Sequence, residues 1–238
     1  MRWTFTPDEF THVWATETGL DRRPYPVNLA PRGLAGTESA RAALKLAERF
    51  PFNGDPDLTG TLRFIARTDV TTITVFGDRF TDGEQQPDSI LALGVAFSDW
   101  GAAVLATGEA VTVVSCHART IAKHLVTALG SAPAGGLATM CEPRQAVLFP
   151  DPGQWQETDS SRRAKRLRQV LRRPIDARGY LTVTVLPEDE MSPPPQHRTW
   201  LDFTGDGRYL LTVGSDMSLT PVTNEELAQY ITRLAGLR

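Results

Sequence analysis

The sequence predicts an α+β protein: a mostly antiparallel central sheet flanked by helices, made of two quasi-two-fold related, β-rich halves. Three observations predict it. Runs of β-branched and aromatic residues are separated by short glycine turns, which favour antiparallel neighbours. Two helices carry capping boxes, Thr6 with Glu9 and Thr223 with Glu226. The chain also repeats itself at an offset of 106, which matches Phe97 with Phe203, Gly101 with Gly207, Leu105 with Leu211 and Gly108 with Gly214. The repeat runs on into a helix, where Ile121 meets Leu227 and Ala122 meets Ala228, so that 90–129 and 196–235 share one order of elements.

In chain order, residues 3–5 form a short strand. Thr6 then caps a helix, Pro7 takes its first position, and Phe5 and Phe10 supply a hydrophobic staple. Phe10, Val13 and Trp14 make its apolar face, and Gly19 ends it. Three prolines hold 24–31 extended. The spacing of Ala43, Leu44, Ala47 and Phe50 predicts a helix over 37–50, and Leu58, Leu62 and Ile65 predict another over 57–67. Residues 71–76 form a strand, followed by a long polar loop over 77–89 with acids at Asp78, Asp82, Glu84 and Asp88. Strands over 90–97, 102–107 and 111–115 lead to a helix over 118–129. Residues 131–143 make a linker, so the chain reads as one domain of two halves, about 1–130 and 144–238. The repeat extends backwards more loosely. Ile73-Thr74-Val75-Phe76 pairs with Val183-Thr184-Val185-Leu186, and Phe149-Pro150-Asp151 echoes Phe5-Thr6-Pro7-Asp8. In the second half Val222 and Leu227 staple the terminal helix.

Composition narrows the function classes. No stretch reaches the roughly 18 apolar residues of a membrane helix, and the amino terminus turns acidic at once without an apolar signal core, which points to the cytoplasm. Cys116 and Cys141 lack CxxC spacing and are expected to be reduced and buried. A net charge of −3 argues against whole-protein attraction to nucleic acid or anionic lipid. That balance hides a basic amphipathic helix over 162–173 with seven cations; removing them from the 25 leaves 18 basic against 28 acidic residues. Ala164, Leu167, Val170 and Leu171 give it an apolar stripe. It reads first as a solvated face docked on the core. A docking surface for an acidic partner and a nucleic-acid contact are the alternatives, and no interleaved aromatics supply a base-stacking platform.

Catalytic signals are weak. Cys116 and His117 are adjacent on a strand and point to opposite faces, whereas a dyad needs hydrogen-bond reach. His117 and His124 share a helix face but stand about 10 Å apart along it, too far for one zinc. His12 and His197 add no ligand spacing. Ala134-Gly135-Gly136-Leu137 lacks the Gly-Lys-Ser/Thr ending of a phosphate loop, and neither GxGxxG nor GxSxG occurs. The acids Glu188, Asp189 and Glu190 beside three prolines read as a solvated loop. No cofactor fingerprint is present.

The order of several motifs resembles the EspG family, the partner-specific chaperones of actinobacterial type VII (ESX) secretion. These are the strand at Trp3, the start Thr6-Pro7-Asp8-Glu9 with Trp14, and the step Pro24-Tyr25-Pro26. Arg178-Gly179-Tyr180-Leu181-Thr182-Val183, then Thr199-Trp200-Leu201-Asp202 and Gly207-Arg208-Tyr209-Leu210, continue it in the second half. The resemblance spans nearly the whole chain, with 131–178 matching only in outline. It implies an α+β fold of two related halves, no enzymatic activity and no cofactor. It also implies a cytosolic role in binding a PE–PPE heterodimer, or a WXG100-like helical hairpin, and keeping it soluble for export. In that family the loop between the second and third sheet strands contributes to partner recognition. By position the residues here are Asp78, Arg79, Phe80, Thr81, Asp82, Gly83, Glu84, Gln85, Gln86 and Asp88, with Phe80 as the apolar anchor. The alternatives are an interaction scaffold with the same fold, or an uncharacterised enzyme.

Overall fold

Among the described residues of the computed structural model (1–28, 44–81, 86–149 and 158–237), ten strands form one sheet. In chain order they are β1 (Arg2–Phe5), β2 (Thr71–Arg79), β3 (Asp88–Phe97), β4 (Trp100–Ala106), β5 (Val111–His117), β6 (Met140–Pro143), β7 (Ile175–Thr184), β8 (Gln196–Phe203), β9 (Gly207–Val213) and β10 (Asp216–Pro221). The helices are α1 (Pro7–Thr18), α2 (Leu46–Arg49), α3 (Pro56–Ile65), α4 (Ile121–Ala128), α5 (Arg144–Leu148), α6 (Asp159–Val170) and α7 (Asn224–Leu234). Across the sheet the order is β1-β5-β4-β3-β2-β7-β8-β9-β10-β6, and each of these neighbouring pairs is antiparallel. The expected α+β class and mostly antiparallel sheet stand; one isolated bridge, Ala134 to Arg208 on β9, is parallel.

From the middle outward, the two five-strand runs follow the same order. Gly77 faces Ile90, and Val183 faces Gln196, each residue 106 further on. Val75 and Leu181, themselves 106 apart, pair across the junction of β2 and β7, which is where a two-fold axis would cross the sheet. On one face α4 and α7 pack together over this junction. Ile121, Ala122 and Leu125 of one helix, and Leu227, Ala228 and Ile231 of the other, are all buried there, again 106 apart. Both expected capping boxes form, on Thr6 and Thr223.

Trp200 fixes the centre of this core. Its indole lies across Gly77 and Gly179, where an added Cβ would come within 2.5 and 2.1 Å of the ring. Only glycine lets a fully buried indole lie that flat on the strands. The opposite face carries two separate cores. One sits under α1 and α3 against β3–β5; the other sits under α5 and α6 against the end of β8, β9 and β10.

Several boundaries differ from expectation. The 77–89 loop is shorter, because Gly77, Asp78 and Arg79 extend β2 and Asp88 and Ser89 begin β3, all in ladder register. The 131–143 linker contains β6, an edge strand held by β10 rather than by local pattern. The Ile73–Val183 equivalence fails: these two pair directly across the junction, and the registers align Ile73 with Gly179 instead. The turn 204–206 is one residue longer than 98–99, so Gly101 corresponds to Arg208 rather than to Gly207, and Leu105 to Thr212 rather than to Leu211. Phe149 follows α5 instead of an edge strand, so its echo of Phe5 does not hold; Pro150 and Asp151 lie outside the described residues. Of the 37–50 helix only α2 is described, starting after Lys45, whose left-handed φ of 48° interrupts a helix; 37–43 lie outside the described residues, as do 29–31 of the extended stretch. The basic helix starts earlier, at Asp159 capped by Thr158, and ends before Arg172. Both cysteines are free, but Cys141 is exposed on β6 and Cys116 only half-buried.

Candidate functional site

Side chains alternate across β2 and β7, so odd-numbered residues from Ile73 to Gly77 and from Ala177 to Val183 are buried under α4 and α7. Even-numbered residues face the other way, and there the two helical covers fail to meet. Phe76 (42% exposed) and Tyr180 (61%) are direct register partners in this gap. Beside them Thr74 faces Thr182, and Thr72 faces Thr184. An exposed aromatic pair in mid-sheet is unusual, because cross-strand aromatic pairs normally sit in a core.

The strip widens over β8. Leu91, Leu93 and Val95 of β3 are buried beneath α1 and α3. Their counterparts 106 residues on are His197, Thr199 and Leu201, of which the first is exposed and the others half-buried. Thr182 Oγ1 lies 2.9 Å from His197 Nδ1, which closes a polar surface beyond the aromatic pair. The uncovered strip therefore runs over β2, β7 and β8, walled by α3 on one side and α6 on the other.

The loop residues fall into three groups. Phe80 is exposed and lies on the Phe76 side of the sheet. Its backbone N–H donates to Asp176 O at 2.7 Å, and the Arg178 guanidinium sits 5.5 Å from its ring centroid. It thus continues the aromatic strip from the strand end instead of standing at a loop tip. Asp78 shares that face, opposite Arg178 in register, while Thr81, Gln86 and Asp88 are exposed around it. Arg79 points the other way and donates to Leu129 O at 2.8 Å, so it anchors the end of α4 and does not belong to the strip. Asp82, Gly83, Glu84 and Gln85 lie outside the described residues. Sequence reasoning missed Phe76 and Tyr180, whose period-2 pattern reads as an ordinary buried strand.

Two hollows offer the other possible chemistry. One, about 640 Å³, opens at the loop base between Arg79, Phe80, Gly130, Asp176, Asp202 and Asp206. Its carboxylates are committed. The buried Arg208 donates to Asp202 at 2.8 and 2.7 Å, and also to the carbonyls of Leu129 and Gly130. Asp206 accepts from Gly136 N–H, Arg173 and Tyr209; the backbone bond from Gly136 foremost holds its carboxyl below the usual range. Asp176 accepts from Thr204. The second hollow, about 570 Å³, brings Cys116 and His124 to one wall. Burial raises the thiol pKa, with a Thr120 hydrogen bond opposing it, so the nucleophilic thiolate is disfavoured. Burial, then Arg2 and the terminal amine, lower that of His124.

Among the described residues no helix is long and apolar enough to cross a membrane. The model of the EspG family matches residues 6–233. Among solved structures, the chain resembles the Mycobacterium tuberculosis type VII secretion chaperone EspG5, determined in complex with a PE25–PPE41 dimer. The TM-score is 0.58 at 14% identity, over 96% of this chain and 94% of that one, a likeness of fold alone. No curated protein matches by sequence.

Proposed function

The chain belongs to the EspG family, and from that premise we propose that it is a cytosolic, partner-specific chaperone of a type VII secretion system, which binds a PE–PPE heterodimer and keeps it soluble for export. One observation supports this most directly: the uncovered Phe76–Tyr180 pair, extended by Phe80, on a sheet face that the fold's own helices leave open. Such a chaperone needs an apolar surface to replace water over its partner's exposed hydrophobic tip. A strip three strands wide between helical walls suits a helical tip, and a standard interface of about 800 Å² per partner holds a stable complex. Of the expected loop, Asp78, Phe80, Thr81, Gln86 and Asp88 are the described positions placed to read the partner at its rim. The role needs no cofactor and no catalysis. We also infer one domain of two related halves, the second beginning at β6.

Co-expression with PE–PPE heterodimers, one pair at a time, followed by size exclusion, tests the reading. A ternary complex with at least one pair is expected, lost in Tyr180→Asp while the variant still folds. A chain that elutes alone beside every heterodimer would leave an interaction scaffold of another kind as the better account.

A further inference from the structure

The seven cations of 162–173 are unequally used. Arg162 bonds Asp159, Arg163 bonds the buried Glu142 at 2.8 Å, and Arg173 bonds Asp206 at 2.7 Å. Among the described residues the side chains of Arg166, Arg168 and Arg172 make no hydrogen bond or ion pair, and Arg168 Nε is enclosed without an acceptor. The geometry sorts these by side. Glu142 lies on the edge strand β6, so Arg163 marks the outer flank of α6. At 100° per residue, Arg168 and Arg172, the last in the turn ending the helix, fall on the side of α6 opposite Arg163, away from β6. The facing wall is different: Arg63 donates to Glu17 O and Arg67 pairs with Asp69, so its cations are spent.

We propose that the inner flank of α6, with Arg168 and Arg172 at its centre, is a docking surface for an acidic face on a helix of the partner protein lying along the strip. This rests on the chaperone reading for the partner's identity, though not for the charge of its docking face. Three features favour a protein helix over other anions. The flank looks into a walled strip, which a helix about 10–12 Å across enters and a flat bilayer does not. Ala164, Leu167 and Val170 are buried in the fold, so α6 has no apolar face to insert into lipid. Outside this segment 18 basic residues face 28 acidic ones, which repels an extended polyanion such as nucleic acid. Because among the described residues only the α6 wall carries uncommitted cations, the attraction also sets which way round the partner lies.

The test titrates three probes onto the full chain at low and high salt: a PE–PPE heterodimer, a designed helical hairpin with one Glu-rich face, and a 20-nucleotide single-stranded DNA. The variants are Arg168→Glu/Arg172→Glu and, should that unfold, Arg168→Gln/Arg172→Glu. Salt-sensitive binding of the hairpin is expected, weakened about tenfold or more by the charge reversal, which also removes the salt dependence. A hairpin that does not bind, or binds both forms equally, overturns the proposal. DNA bound more tightly than the hairpin, and lost on reversal, overturns it in favour of a nucleic-acid surface. Hairpin binding with no heterodimer bound leaves the inference standing and removes the chaperone reading instead.

Discussion

The outward faces of β3 and β8 occupy equivalent places in the sheet and have opposite fates. On β3, Leu91, Leu93 and Val95 are sealed under α1 and α3; on β8, His197, Thr199 and Leu201 lie open or half-open. Burying a Leu or Val side chain stabilises by about 1.5–3 kcal/mol, so the first run gains from its cover what the second forgoes. The cores explain where the second run compensates. Gly101 lets Ile121 descend onto the sheet, since a Cβ there would meet that side chain at 2.8 Å. At the equivalent position Arg208 ties Asp202, Asn224 and the end of α4 into one buried knot. One run is held by close apolar packing on both faces. The other adds an ionic knot to the apolar core on one face, and on the other face its cover over β9 and β10 leaves β7 and part of β8 open.

Breaking the knot should have the largest effect. Arg208→Met strands the Asp202 carboxylate, and a loss of about 3–5 kcal/mol is expected in denaturant unfolding, against about 1–3 kcal/mol for the overpacked Gly101→Ala. Equal costs would show that the two positions do the same job. Leu93→Ala should cost about 2–4 kcal/mol, whereas its counterpart Thr199→Ala should stay within about 0.5 kcal/mol; thermal melts of the pair measure how unlike the two faces are.

The binding predictions sharpen the same contrast. Tyr180→Asp or Phe76→Asp should weaken heterodimer binding by about 2 kcal/mol, or roughly 30-fold, with stability nearly unchanged. Phe80→Asp at the rim should cost about tenfold or less, since Arg178 already covers part of its ring. A titration in which Phe80→Asp exceeds Tyr180→Asp would move the centre of the site to the loop. The smallest effect concerns the longer turn of the second run. Asp206 has a depressed folded pKa, chiefly through Gly136 N–H, so its contribution is full above the ordinary carboxylate value near 3.9 and is lost as pH falls through the folded value. The stability gap between wild type and Asp206→Asn, followed by urea unfolding, should therefore be flat from pH 7 to 5 and narrow only in more acidic buffer.

Legibility followed locality. Thr6 with Glu9 and Thr223 with Glu226 fixed two helix starts, because a cap is closed within four residues. The offset of 106 held in α4 and α7 and across β3 and β8, where core side chains repeat. It slipped at Gly101, where a turn one residue longer is invisible to residue identity; at Ile73 it held, and the looser match to Val183 failed because those two strands are neighbours. β6 escaped notice because Met140-Cys141-Glu142-Pro143 has little pattern of its own and becomes a strand only by pairing with β10.

From the amino-acid order alone came the α+β class, the doubled plan, the capped helices and the family likeness, all written in spacings that neighbouring residues enforce on one another. Tertiary structure alone decided that Phe76 and Tyr180 stand uncovered side by side, and which cations of α6 find a partner and which do not. Alternation says which residues share a face of a strand; it does not say whether a helix arrives to cover that face. That depends on where distant helices come to rest, and here α3 and α6 stop short of each other over β2, β7 and β8.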